Sequence, residues 1–296
     1  MARRAAFIDS LRRQGAPILL VDSGDFLHRD RERSLPLSRL VWEEFRRSGY
    51  HAVGLGKEEF LQWDLVQEWL RESPLPLVTT NVEHLVQGDW VPIGEKYRVV
   101  KVNGVNVGVV SVTSENQLPP STVARHKDTL RLLPPLETTQ RMVDWLRQTG
   151  GAEVIVLLAE IDNDAMEQFA SLLQGVDAIL GGYQPRQDVT PKQVGRSAVL
   201  NRSGTRGQTV ASTQLIVSPE GRVVDFGGQN VVLTEKMPED ANLLKRINDA
   251  KNESTLLKRE AMREQSEAAR ANRPGRSSGA DDAGAGAEAK TSPLPE

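Results

Sequence analysis

Apolar and polar residues alternate along the chain in blocks that predict strands and helices in turn. Short, continuously apolar runs are typical of strands buried on both faces. They cover residues 17–21, 51–55, 76–81, 153–158 and 176–180. Segments with apolar residues three or four positions apart predict helices. They cover residues 2–14, 37–48, 62–72, 136–149 and 163–174. This alternation predicts an α/β fold.

Two β-rich regions depart from simple strand–helix alternation. Residues 97–102 and 105–110 flank Asn103-Gly104, a dipeptide that favours a tight turn between antiparallel strands. Three more strands, with glycines at their turns, are predicted later in the chain. They cover residues 197–201, 208–217 and 222–233. Because helices lie between two β regions, we predict a layered β-sandwich flanked by helices and not a simple doubly wound sheet.

Composition divides the chain into three parts. Residues 1–235 carry the predicted sandwich. Residues 236–271 are charged and poor in apolar residues, and they predict a helix over 239–271. A solvated helix or weak coiled coil is the ordinary interpretation, and a docking surface for a protein partner is the alternative. Residues 272–296 are rich in Gly, Ala, Ser and Pro without periodicity, which predicts a disordered tail.

Charge and cysteine content exclude several classes of function. The formal net charge of −3 gives no reason to expect a nucleic-acid partner. The chain has no cysteine, which excludes disulfides, thiolate zinc sites and cysteine nucleophiles. No run approaches the ~20 apolar residues of a membrane helix. The basic N-terminal segment has no apolar stretch long enough for a signal peptide, so the compartment stays undetermined.

Four motifs lie at the ends of predicted strands, where open α/β sheets place their chemistry. They are Val-Asp-Ser-Gly-Asp-Phe at 21–26, Gly-Leu-Gly-Lys-Glu-Glu-Phe at 54–60, Leu-Leu-Ala-Glu-Ile-Asp at 157–162 and Leu-Gly-Gly-Tyr-Gln-Pro at 180–185. In this order and spacing they resemble the calcineurin-like metallophosphoesterase superfamily, and most closely its bacterial 5′-nucleotidase branch. The resemblance covers roughly residues 1–235.

This resemblance implies a dinuclear metal centre at the strand ends, which hydrolyses a small phosphoester. One metal lowers the pKa of the attacking water, and both stabilise charge on phosphorus. The implied cofactor is a divalent ion of the Mn, Zn or Mg type. Its ligands would be histidine nitrogens, a bridging carboxylate and an amide oxygen.

Only part of that ligand set has a match in the chain. Asp25 matches the bridging aspartate of the family. Glu160 stands where the family has a ligand histidine, and Lys57 occupies the position of the asparagine ligand. Tyr183 and Pro185 stand where a Gly-His-x-His or Gly-His-x-Gln pair is expected. An ammonium at Lys57 would repel a metal ion and can substitute for its charge.

Two glutamates are the catalytic candidates. Glu58 occupies the position of the catalytic histidine of the family, and Glu59 matches the final acid of the same motif. Both could instead place negative charge in the first turn of the helix that follows. An oxygen-only site for Mg²⁺, Mn²⁺ or Ca²⁺ is a further alternative. The acids that could form it are Asp25, Glu58, Glu59, Glu160, Asp162 and Asp164.

The replacements predict a phosphoesterase homologue with an altered site, impaired hydrolysis and no necessary metal cofactor. The alternative is a catalytically inactive binding or scaffold protein of the cell envelope that keeps the fold. The opening Asp-x-His motif of the family, carried on a strand before the first helix, has no match. We therefore expect the natural product to extend upstream of Met1 and to include an export signal.

Overall fold

Helices and strands follow one another much as the periodicity predicts in the computed structural model. It describes residues 1–30, 34–195 and 198–271, with no side chains beyond residue 267. The helices in this part of the chain are α1 Ala2–Arg13, α2 Leu35–Arg47, α3 Lys57–Leu61, α4 Trp63–Glu72, α5 Pro120–His126, α6 Pro135–Gln148, α7 Asn163–Leu172 and α8 Ala241–Ala271, with a 3-10 helix at Glu115–Gln117.

The strands are shorter and more numerous than the helices. They are β1 Val21–Asp22, β2 Ala52–Val53, β3 Val82–Val86, β4 Asp89–Pro92, β5 Arg98–Val102, β6 Val105–Thr113, β7 Leu130–Leu132, β8 Val154–Glu160, β9 Ala178–Gly181, β10 Lys192–Val194, β11 Ala198–Arg202, β12 Thr209–Val210, β13 Gln214–Val217, β14 Val223–Gly227 and β15 Val231–Val232.

A six-stranded sheet forms the centre, in the order β10-β11-β9-β8-β6-β5. Strands β6, β8, β9 and β11 are parallel, whereas β5 and β10 add antiparallel edges. All seven residues of β8 are buried, as its continuous apolar sequence predicts for a strand covered on both faces. The parallel strands bring their carboxyl ends to one edge, where Glu160 of β8 lies beside Thr113 of β6.

Each face of this sheet packs against a different layer. On one face Val110, Ile155 and Leu157 pack against apolar side chains of α6 and α7. On the other, Val109 and Val156 pack against the short strands β1, β2, β13 and β14. A further apolar cluster, with Trp42 and Phe45 at its centre, joins α2 and α4 to β2. The predicted layered sandwich flanked by helices is therefore confirmed.

Helix α8 lies on α1 and α2 through its first half. Leu243 and Ala250 pack against Ala2, Ala5 and Leu40, whereas residues 262–267 are all exposed. The predicted helix over 239–271 is confirmed with its start at residue 241. Of the described helices, none combines the length and the apolar character that crossing a membrane requires. The predicted disordered tail, 272–296, lies outside the described residues.

Several predicted strands are wrong in extent. The run 17–21 contributes only Val21 to β1, since the N–H of Leu20 donates to the ring of His51 at 2.9 Å and not to a neighbouring strand. The run 76–81 forms only isolated bridges, Leu77 to Val53 and Val78 to Glu95.

Two long predicted strands are interrupted, and one sheet was not predicted. The strand at 208–217 divides into β12 and β13 because the N–H of Ser212 donates to the side chain of Asn230 at 3.0 Å. The strand at 222–233 likewise divides into β14 and β15. The sheet β4-β3-β7 has no counterpart among the predicted elements.

Candidate functional site

The loops after β1 and β2 pack against each other backbone to backbone. A Cβ atom on Gly24 would lie 2.6 Å from the amide nitrogen of Gly56, and one on Gly56 would lie 2.7 Å from that of Asp25. Gly24 and Asp25 both have positive φ, 122° and 62°, a conformation that glycine adopts easily and aspartate tolerates. The glycines of the first two motifs are therefore required by this close approach.

Glu59 holds these loops together through its carboxylate. Its Oε2 accepts hydrogen bonds from the N–H groups of Asp25 at 2.7 Å and Gly56 at 2.8 Å. Its Oε1 accepts from those of Phe26 and Leu27, both at 2.9 Å. The side chain is fully buried. Burial raises the pKa of Glu59 to about 7, the charge of Asp25 adds to the rise, and the backbone amides oppose it.

Glu160 lies at the carboxyl end of β8, also fully buried. Its Oε2 accepts a hydrogen bond from the hydroxyl of Ser23 at 3.0 Å, while its Oε1 has no partner. Burial raises the pKa of Glu160 well above its ordinary value, and the charges of Asp25 and Glu59 raise it further. This environment favours the protonated, uncharged acid.

Asp25 and Glu58 lie beside the two buried glutamates. The exposed Asp25 accepts a hydrogen bond from the N–H of Glu58 at 2.9 Å, which places its carboxylate at the start of α3. The carboxylate of Glu58 pairs through Oε1 with Arg29 at 3.0 Å, and its Oε2 is buried without a partner. The structure thus brings Asp25, Glu59 and Glu160 together and directs Glu58 toward Arg29.

The predicted replacements of family ligands make few polar contacts. Lys57 is half-buried, and its ammonium has neither a hydrogen bond nor an ion pair within the part of the chain that the structure describes. Tyr183 is half-buried and Pro185 is exposed, both in the loop after β9. Between them, Gln184 connects this loop to the one after β8.

That connection centres on Asp162, one of the acids considered for an oxygen-only site. Asp162 is the N-cap residue of α7, but its carboxylate does not cap the helix. It accepts hydrogen bonds from the amides of Asn116 at 2.8 Å and Gln184 at 3.0 Å. The amide oxygen of Gln184 accepts from the N–H of Asn163 at 3.1 Å instead. Three strand-end loops are joined by these contacts.

Ser23 and Arg4 were missed as contributors to this region. Ser23 bonds Glu160, as described, and the guanidinium of Arg4 lies 4.0 Å from the carboxylate of Asp22 and 5.1 Å from the ring centre of Phe45. Burial raises the pKa of Asp22, and the charge of Arg4 opposes that rise. The helical periodicity placed Arg4 on a basic side of α1 but gave no signal of its contact with β1.

Comparison with known proteins shows which proteins this chain is similar to. The chain matches no family model. It is 24% identical over 277 residues to the 5′-nucleotidase of Bos taurus, covering 84% of this chain and 46% of that protein. It is 23% identical over 276 residues to a snake venom 5′-nucleotidase of Gloydius brevicauda, covering 85% and 46%. The chain therefore spans about half the length of the curated relatives it matches.

Solved structures show the same similarity at the level of the fold. The sulfate thiohydrolase SoxB of Thermus thermophilus superposes with a TM-score of 0.73 at 20% identity, over 84% of this chain and 46% of that one. The calcineurin-like phosphoesterase YfkN of Bacillus subtilis gives a TM-score of 0.65 at 18% identity, over 87% and 90%. The resemblance to the calcineurin-like metallophosphoesterase superfamily is confirmed.

The strand-end residues that the structure describes do not form a ligand group for a dinuclear metal centre. Both oxygens of Glu59 are engaged by backbone amides. Among the described residues, no three side chains of His, Cys, Asp or Glu form a group that could hold a metal ion. The oxygen-only alternative finds no support in this arrangement either.

Proposed function

We propose that this chain is a 5′-nucleotidase-like metallophosphoesterase homologue in which two-metal hydrolysis is lost or strongly impaired, and that it works as a binding or scaffold protein. The observation that carries the proposal is the set of hydrogen bonds that Glu59 accepts. Its carboxylate accepts four backbone hydrogen bonds that hold the loops around Asp25 in place. A carboxylate committed to the backbone in this way is not free to act on a substrate.

The electrostatics of the strand ends support the same conclusion. Two-metal hydrolysis needs cations that attract the phosphoester and lower the pKa of water. Here Asp25 and the neighbouring Asp22 supply negative charge, and Lys57 supplies one ammonium. The ammonium of Lys57 can replace the positive charge of a metal ion, but it cannot activate water as a Lewis acid does.

A hydrolase completed by residues from elsewhere is the second candidate. Asp25 is exposed at the strand ends, so a further segment or partner could contact it. The chain also spans only about half of its curated relatives. This candidate requires the missing ligands to come from outside the present sequence.

The two candidates differ in metal content and turnover. The purified chain would be assayed with p-nitrophenyl phosphate, bis-p-nitrophenyl phosphate and AMP, each with added Mn²⁺, Zn²⁺ or Mg²⁺, and analysed for bound metal. We expect no stoichiometric metal, no turnover above the blank, and the same melting temperature with and without EDTA. Stoichiometric metal with turnover abolished in Asp25→Asn, but retained in the exposed control Asp89→Asn, would overturn the proposal.

A further inference from the structure

Strand β5 is the last of the six strands of the central sheet, and of the described strands only β6 pairs with it. The N–H of Asn106 in β6 donates to the carboxylate of Glu153 at 2.8 Å, and its C=O accepts from the N–H of Glu153 at 2.8 Å. Both groups of Asn106 are therefore turned away from β5. Lys101 lies opposite Asn106, and in such a pair both residues turn their backbone groups outward. The N–H and C=O of Lys101 therefore point to the open edge.

Val99 presents a second pair of backbone groups at the same edge. These groups alternate in direction from one residue to the next, so those of Val99 point the same way as those of Lys101. No hydrogen bond to either pair is made within the part of the chain that the structure describes. Two donors and two acceptors are thus open, with about 7 Å between the two residues along the strand. An edge of this kind is a template for pairing with another extended segment.

Apolar side chains border this open edge on the side of α6. A Cβ atom on Gly108, the partner of Val99, would lie 3.2 Å from a methyl carbon of Leu146 in α6. Residues directly opposite each other share a face of the sheet, so Val99 is on the α6 side. Tyr97 packs against the same apolar cluster, and its ring centre lies 4.9 Å from that of Trp145. Val99 is 39% exposed and Trp145 is 40% exposed, so both have apolar surface left to bury.

The edge also carries positive charge. Arg98 of β5 pairs with Glu95 at 3.2 Å. Lys101 is exposed and Lys96 is half-buried, and neither has an ion pair among the described residues. Strand β5 itself contains no acid. Two copies joined through this edge would bring their cations together, and like charges opposite each other destabilise a pair of strands. The charge therefore favours an acidic segment over a second copy of this chain.

We propose that the β5 edge binds an extended, acidic segment of a partner protein, which pairs with β5 as a seventh strand of the sheet. The backbone of this segment bonds the N–H and C=O groups of Val99 and Lys101. Its apolar side chains, at alternate positions, cover Val99 and Trp145, and an acid faces Lys101. The inference rests on the binding part of the proposed function and names the chemistry of the partner. None of the strand-end acids contributes to this surface.

A synthetic peptide tests the class of partner. In acetyl-Thr-Glu-Thr-Leu-Thr-Leu-Thr-amide, antiparallel pairing with Glu opposite Lys101 places the first Leu opposite Val99. Replacing Glu by Lys, or both Leu by Ala, gives two matched control peptides. Fluorescence anisotropy of the labelled peptides at pH 7 and low ionic strength measures binding. We expect saturable binding of the acidic peptide and at least about tenfold weaker binding of each control. Equal binding of the Glu and Lys peptides would overturn the assignment of an acidic partner.

Hydrogen exchange followed by NMR tests the mode of binding. An added strand protects every second amide of β5, so exchange at Val99 and Lys101 should slow when the acidic peptide is added. The amide of Val100 should change little, because Val100 already pairs with Val107 of β6. Slower exchange at all β5 amides alike, or at none, would overturn the addition of a strand.

Two substitutions test the location. Val99→Pro removes an outward N–H without breaking a bond to β6, and proline is tolerated at edge positions of this kind. It should weaken binding about fivefold or more, the effect of one hydrogen bond. Lys101→Glu should reverse the preference, so that the Lys peptide binds better than the acidic one. The exposed control Lys236→Glu should leave both affinities unchanged. Wild-type binding by Val99→Pro and Lys101→Glu would overturn the proposal.

Two further outcomes separate this inference from its rivals. A dimer in sedimentation experiments that Val99→Pro dissociates would assign the edge to a second copy and overturn the acidic partner. Failure of the acidic peptide to bind would overturn this inference alone, since metal content and turnover are measured separately. Peptide binding together with stoichiometric metal and turnover would support the edge and overturn the proposed loss of hydrolysis.

Discussion

The N–H of Asp25 donates a hydrogen bond to Oε2 of Glu59 at 2.7 Å, so the acid of one motif holds the backbone of the acid in another. Three further amides donate to the same carboxylate. The conformation of the loop after β1 therefore depends on a side chain of α3. In this chain a carboxylate provides a connection between strand ends that needs no bound ion.

Replacement of Glu59 should destabilise the fold strongly. Glu59→Ala leaves four backbone N–H groups without their acceptor, and burying unpaired donors costs about 1–3 kcal/mol each. We expect the free energy of unfolding in urea to fall by at least about 3 kcal/mol. The neighbouring Glu58→Ala breaks an ion pair with the largely exposed Arg29 and should cost about 1 kcal/mol or less. Equal losses in the two variants would contradict the role assigned to Glu59.

Stability should fall as the pH rises, because of the two buried glutamates. The folded pKa of Glu59 is raised from 4.5 to about 7, and that of Glu160 is raised well above its ordinary value. The folded chain therefore holds these protons more tightly than the unfolded chain. Their stabilisation is complete below about pH 4.5 and is lost as the pH rises through the folded pKa values, at about 1.4 kcal/mol per pH unit for each proton.

Glu160→Gln removes the titration of Glu160 and leaves that of Glu59. The amide resembles the protonated carboxylic acid and cannot ionise, so the variant should lose less stability than wild type between pH 5 and pH 9. Urea unfolding at a series of pH values measures the difference. Parallel curves for wild type and Glu160→Gln would show that Glu160 does not titrate in this range.

Arg202 should be required for the packing of α7 on β11. It is 1% exposed and pairs with Glu167 at 2.7 Å and Asp188 at 3.3 Å. Arg202→Ala removes the shared cation from two acids, and removing one partner of a buried pair costs about 3–5 kcal/mol. Arg186→Ala, which removes an exposed cation 4.0 Å from Glu167, should cost under about 1 kcal/mol. Thermal and urea unfolding compare the two variants.

The same substitution should change the titration of Glu167. Hydrogen bonds from Arg202 and Lys192 hold the pKa of Glu167 at about 2. The stability linked to this lowered pKa is present above about pH 4.5 and lost as the pH falls through 2. In Arg202→Ala the pKa of Glu167 should move toward 4.5, which carboxyl NMR titration would detect. An unchanged value would assign the shift to Lys192 alone.

The two halves of α8 should respond differently to truncation of a leucine. Leu243 is 2% exposed and packs on α1 and α2, whereas Leu256 is 56% exposed. Leu243→Ala should reduce the free energy of unfolding by about 2–5 kcal/mol, and Leu256→Ala by no more than about 0.5 kcal/mol. Limited proteolysis should cut within α8 sooner in Leu243→Ala. Similar stability of the two variants would contradict the packing of this helix.

The pattern of apolar and polar residues within a segment predicts those elements that depend only on residues close together in the chain. The hairpin of β5 and β6 follows from alternating apolar residues around Asn103-Gly104. The buried strand β8 follows from its continuous apolar run. The local hairpin of β3 and β4 around Gln87-Gly88 was missed, whereas the pairing of β7 with β3 is not predictable in this way, because β7 lies in a distant part of the chain. Pairing between distant segments leaves no signal in either segment alone.

The positions of the site residues were predictable, but the directions of their side chains were not. Motif order placed Asp25, Glu59 and Glu160 at strand ends, and the structure brings them together. The place of Glu59 in the first turn of α3 accounts for the bond from the N-cap residue Gly56, but the sequence gives no signal of the three bonds from the loop after β1. Asp162 was considered for an oxygen-only metal site, yet its carboxylate bonds Asn116 and Gln184. Such contacts depend on loops whose conformations are set by the rest of the fold.

The contact of Gly24 with Gly56 has an evolutionary consequence. Since no Cβ atom fits at either glycine, a mutation there would disturb both loops at once. The half-buried Lys57, the first residue of α3, has no such restriction. Selection can therefore exchange a side chain such as that of Lys57 while the main chain keeps its course, so the architecture can outlast a change of chemistry. The same property would let an engineer place histidines in these loops and find the backbone already in position.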